Sequence, residues 1–162
     1  MDLNGIQKDD VRGLEDFLSR NKKLLHPNHA AMMEVKKCLS VGYGRFAGFT
    51  YDKLSTEKLK KKIQFCREVL EFVTILEPGI STQKALTLYE LWQGETEMLE
   101  RSKVEDKTTL EDYNKSLKIN LAYLEESSAI LKYEPENSIH GQLSKDIDMK
   151  LTAEKLKMSD IK

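Results

Sequence analysis

The chain has 162 residues, 40% of them apolar and 33% charged, with a formal net charge of −1. That length is enough for one domain whose core needs no disulfide or metal staple. The near-neutral balance argues against a nucleic-acid protein, which needs an excess of Lys and Arg to displace counterions, and no apolar run approaches the roughly 18 residues of a membrane span. The polar, acidic opening Met1–Asp10 is unlike the basic and then apolar pattern of a signal peptide. Three prolines and eight glycines leave room for long helices.

Asp9 or Asp10 can cap a first helix, with Val11, Leu14, Leu18 and Leu25 on one face and Phe17 and Leu24 widening it. His26-Pro27-Asn28 stops that helix, and Asn28 is a good cap for the next. Met32, Val35 and Leu39 form the stripe of the second helix, which ends near Gly42 and Gly44. A loop over Arg45–Leu54 carries Gly48, Phe49 and Tyr51, and Ser55 or Thr56 opens the third helix. Its residues Leu59, Ile63, Cys66, Leu70 and Val73 recur at alternating spacings of four and three, a clean packing stripe. Glu77-Pro78-Gly79 ends it.

Ser81 caps a fourth helix with Ala85, Leu88, Trp92 and Leu99 inside. Thr108, with Glu111 three residues on, reads as the capping box of a fifth. Leu110, Tyr113, Leu117, Leu121, Leu124 and Leu131 are its expected inner face, and Glu134-Pro135 stops it. Ser138 opens a sixth helix marked by Leu143, Ile147 and Leu151, fraying into the polar Lys155–Lys162 end. No segment alternates with period two, so no sheet is expected. The expected fold is all-α: about six helices, joined by short loops, packed as antiparallel hairpins in a bundle or a short tetratricopeptide-like superhelix. The expected domain is residues 1–157, with 158–162 as a flexible tail. A weak internal echo links Ile75–Pro78, Ser81, Ala85 and Leu86 with Leu131–Pro135, Ser138, Gly141 and Leu143. In both, a small residue lets a neighbouring helix approach.

Motifs for chemistry are sparse. His26, His29 and His140 lack the Cys-rich company of structural zinc, so the first two read as turn residues. Cys38 and Cys66 lie on apolar helix faces, as reduced core thiols do, and this places the chain in the cytoplasm or nucleus. No Gly-x-Ser-x-Gly elbow or phosphate-cradling glycine loop is present, so no catalytic residue, metal ligand or cofactor site is assigned. Two charge features remain. Lys58, Lys60, Lys61 and Lys62 crowd the start of the third helix, where cations oppose the helix dipole. They read as a solvated face or as a patch for an acidic partner or nucleic acid. Glu90, Glu95, Glu97 and Glu100 make the fourth helix acidic. Tyr89 and Trp92 are the candidate aromatic anchors for a partner, with core burial the stronger expectation for Trp92.

Leu24-Leu25-His26-Pro27-Asn28-His29 followed by Gly42-Tyr43-Gly44-Arg45 resembles the C-terminal region of SET-and-MYND-domain proteins, especially the arthropod branch. So does Cys66–Leu91, with Leu76-Glu77-Pro78-Gly79, Ser81 and Leu88-Tyr89-Glu90-Leu91, and so does Leu131–Leu143. The resemblance spans roughly residues 14–151. It implies a tetratricopeptide-like helical region that, in the family, follows a lysine-methyltransferase core and helps to bind substrate or partner proteins. The SET motif that holds the methyl donor and the Cys-rich MYND and post-SET motifs are not in this sequence, so the resemblance carries no catalytic, methyl-donor or zinc residue over to it. The expected function is therefore a non-catalytic module for a protein or peptide partner. The competing expectation is a substrate-positioning fragment of a methyltransferase whose SET and MYND domains lie outside this chain. A scaffold that self-associates is the third.

Overall fold

A computed structural model of the chain describes residues 5–159. Residues 1–4 of the polar opening segment and 160–162 of the expected tail lie outside the described residues. Six α-helices follow in chain order among them: α1 (Val11–Asn21), α2 (Ala30–Arg45), α3 (Thr56–Leu76), α4 (Thr82–Val104), α5 (Leu110–Leu131) and α6 (Ile139–Ser159). No β-strand occurs among the described residues; the one ladder-like contact is an isolated bridge between Gly44 and Thr50. The chain divides into two units, Met1–Phe72 and Val73–Lys162.

In the first unit, the Asp10 carboxylate caps α1 by accepting from Gly13 N–H at 3.0 Å. Val11, Leu14 and Phe17 are buried as their spacing requires. The helix stops at Asn21, five residues before the expected His26. Beyond it the Leu24 and Leu25 N–H groups both donate to the Asn21 carbonyl at 2.9 Å in a turn, while the Asn21 side chain donates to the Phe17 carbonyl at 2.9 Å. Leu24 is left exposed rather than on the inner face. The cap of α2 is His29, not Asn28: its Nδ1 accepts from Ala31 N–H at 3.2 Å, while Asn28 N–H is taken by His26 Nδ1 at 3.1 Å. Both histidines are turn residues. Met32, Val35 and Leu39 are buried on α2. The helix kinks where the glycines predict an exit: Tyr43 leaves helical angles and Gly44 takes φ of +113°. A Cβ on Gly44 would stand 2.6 Å from the Tyr51 ring, so both backbone and space call for glycine. In α3, Leu59, Ile63, Cys66 and Val69 are buried.

In the second unit, Ser81 caps α4, and Ala85, Leu88, Trp92 and Leu99 are buried. The cap of α5 is Thr109 rather than Thr108. Its hydroxyl accepts from Asp112 N–H at 3.1 Å, one residue on from the expected box. Tyr113, Leu117, Leu124 and Leu131 face inward, but Leu110 does not. α5 packs along both α4 and α6. The Ser127 hydroxyl, fully buried on α5, donates to the Ala85 carbonyl of α4 at 2.8 Å, and Lys84 pairs with Glu126 at 2.6 Å. Ser128 donates to Asp148 of α6 at 2.6 Å. Ser138 caps α6 through Gly141 N–H at 2.9 Å, and α6 stays helical through Ser159, beyond the point where fraying was expected. Met158 packs on the Leu99–Tyr113–Leu117 cluster.

Candidate functional site

The lysines at the start of α3 do not form the solvated face expected of them. Lys62 is fully buried and Lys58 is half-buried; only Lys60 and Lys61 are exposed. Periodicity explains the split. Lys62 lies next to Ile63 and three residues past Leu59, so the register of the stripe turns it inward. Lys58 reaches the carboxylate of Glu15 on α1, which also accepts from the Tyr43 hydroxyl on α2. Its ammonium lies 5.4 Å from the ring centres of both Tyr43 and Phe49. Burial raises the Glu15 carboxyl, but the Lys58 and Tyr43 hydrogen bonds and the charges of Lys58 and Lys61 outweigh it and hold the group below its usual value. The Tyr43 phenol is pushed up, by burial first and then by the Glu15 carboxylate.

Lys62 donates to the Ser40 carbonyl and stands 5.9 Å from the Tyr51 ring centre. Lys36, which the α2 stripe did not mark, is also buried. It pairs with Glu68 at 2.6 Å and donates to the Pro27 carbonyl at 3.0 Å. Its one sequence signal was its place between Met32 and Leu39, on the buried side of α2. In each cluster the polar groups face one another, and the arrangement fixes α1, α2, α3 and the 46–54 loop in register.

Tyr89 and Trp92 are both buried and stack on each other with ring centres 5.7 Å apart. Lys150 of α6 lies 5.9 Å over Tyr89. The acidic α4 is broken up in the same way. Glu90 is buried, Glu97 pairs with Arg101 at 2.8 Å, and Glu100 accepts from the Tyr113 hydroxyl at 2.7 Å. Burial, then Glu100 and Glu154, push the Tyr113 phenol up to about 12. Both cysteines are reduced; Cys66 is buried, and burial followed by the charge of Glu34 raises the Cys38 thiol, the opposite of an activated thiolate. Among the described residues, no three His, Cys, Asp or Glu side chains gather as metal ligands would. No helix among them is long and apolar enough to cross a membrane.

A different feature marks one end of the second unit. Ile75, Leu76, Ile80, Tyr133 and Ile139 are each 64–85% exposed. They flank the α3–α4 and α5–α6 turns, and the Thr82 hydroxyl at the start of α4 donates to Glu134 in the α5–α6 turn at 2.5 Å, bringing the two turns together. Five large exposed apolar side chains thus lie at the helix ends around these two turns. No periodicity rule marks them, because they sit at helix ends rather than along a stripe. No protein-family model matches the chain, and no curated protein matches it.

Proposed function

We propose that the chain is a non-catalytic helical module that binds a protein or peptide partner, with the Ile75–Ile80 and Tyr133–Ile139 end of the second unit as its docking surface. The observation that carries this reading is the five exposed apolar side chains on two adjoining turns. Exposed apolar clusters of this kind are costly in water unless something covers them. The polar clusters support the reading from the other side: the candidate residues Lys58, Tyr89 and Trp92 are engaged internally, so the partner contact passes to the turns. The resemblance of residues 14–151 to the partner-binding C-terminal region of SET-and-MYND proteins agrees with it. The partner's contribution is an apolar anchor set against Ile80 and Ile139, rimmed by polar contacts.

A peptide-display selection against the folded chain tests this. The expected result is a family of apolar-anchored peptides that bind saturably at about micromolar affinity. The Ile80→Asp/Ile139→Asp variant, with an unchanged circular-dichroism melt, should bind them at least about tenfold more weakly. Equal binding by both proteins, or no saturable binder, sinks the proposal.

A further inference from the structure

The leucine seam of α5 runs out of cover. Leu110, Leu117, Leu124 and Leu131 recur every seven residues on one side of the helix. The last three are buried, yet Leu110 is 68% exposed. It opens a recess of about 640 Å³ along the first turns of α5, lined by Leu110, Glu111, Asn114, Lys115 and Lys118. Leu110, Asn114 and Lys118 lie four residues apart in succession, hence on one helix face. Asn114 is half-buried; its side-chain oxygen is shielded from solvent and accepts no hydrogen bond from a described residue. Lys115 and Lys118 are exposed and form no ion pair with a described residue. The recess therefore offers an apolar floor at Leu110 and two cations against the single carboxylate of Glu111.

We infer that this recess docks an acidic amphipathic segment of a partner protein. One apolar side chain would extend the seam over Leu110, and carboxylates would face Lys115 and Lys118. The recess is shallow and lined by one helix, so it suits a side chain laid across it rather than an enclosed ligand. A polyanion such as nucleic acid is disfavoured by the apolar floor, the adjoining Glu111 and the chain's overall charge of −1. The inference rests on the reading of the chain as an interaction module and names a partner class for a second surface.

Its test is fluorescence anisotropy on the full chain with a labelled peptide of about fourteen residues, four helical turns, with leucines on one face and glutamates on the other. The same peptide with lysines replacing the glutamates, and a single-stranded oligonucleotide, serve as controls. The acidic peptide should bind saturably, more weakly as salt is raised. Lys115→Glu/Lys118→Glu and Leu110→Asp should each weaken it at least about tenfold, while the same charge reversal at the exposed Lys22 and Lys23 leaves it unchanged. Leu110→Asp puts a carboxylate in the first turn of α5, where the helix dipole favours it, so that variant should keep its fold. Binding of the basic peptide or the oligonucleotide as tightly as the acidic one, indifference to the lysine reversals, or no binding of the acidic peptide overturns the inference. If the acidic peptide fails while display-selected peptides still depend on Ile80 and Ile139, the inference falls and the module reading stands.

Discussion

The Ser40 carbonyl loses its helical partner because the chain turns at Tyr43 and Gly44. In an unbroken helix Gly44 N–H would reach it, but here that N–H donates to the Phe49 carbonyl at 2.8 Å. The Lys62 ammonium takes the vacated place. This accounts for a lysine with no exposure at all: an orphaned buried carbonyl is costly, and a charged donor is the strongest remedy within reach. Lys62→Met keeps the volume and removes the donor. It should cost about 1–3 kcal/mol in urea unfolding despite the relief of a buried charge. An unchanged midpoint would show that the Ser40 carbonyl finds another donor. The sequence hinted that four lysines at a helix start had a purpose, because they oppose the dipole. It could not say that the purpose was internal, since a lysine on an amphipathic helix normally marks solvent and only the kink in another helix creates the need.

Element boundaries were legible where side-chain spacing decides them and less so where single hydrogen bonds do. The α3 stripe reads directly, because its alternating spacings of four and three repeat over many residues. The end of α1 does not: Leu24 and Leu25 extend the apolar pattern, but their N–H groups converge on the Asn21 carbonyl in a turn instead of continuing the helix. Leu110 continues the α5 pattern by sequence, yet it sits at the first position of the helix, where its neighbours no longer cover it. The small residues of the internal echo are a further case. Ala85 is fully buried at a helix–helix contact, as expected. Gly141 instead makes room for its own turn: a Cβ there would stand 2.1 Å from the Pro135 carbonyl oxygen. Glycine to alanine inside a helix ordinarily stabilises by about 0.5–1 kcal/mol. Gly141→Ala should do the reverse, destabilising by about 1–3 kcal/mol through overpacking against backbone. A gain in melting temperature for that variant would show that the turn has room to yield.

At the scale of the whole molecule, the all-helical class followed from composition, capping signals and the absence of period-two segments, and the six helices agree with it. The candidate site was much less legible. Sequence reasoning looks for anchors among aromatic and charged residues, so it chose Tyr89, Trp92 and the α3 lysines. The first two stack in the core and Lys58 holds Glu15. Exposure at a turn depends on what packs over it, and no spacing rule for Ile75, Leu76, Ile80, Tyr133 and Ile139 reports that. The central claim is that this end of the second unit is a docking surface. The most direct measurement is amide chemical-shift mapping of the isotope-labelled chain as the tightest display-selected peptide is titrated in. The account expects saturable shifts concentrated at residues 75–82 and 131–140. Shifts confined to surfaces away from both turns, or none at saturating peptide, would contradict it.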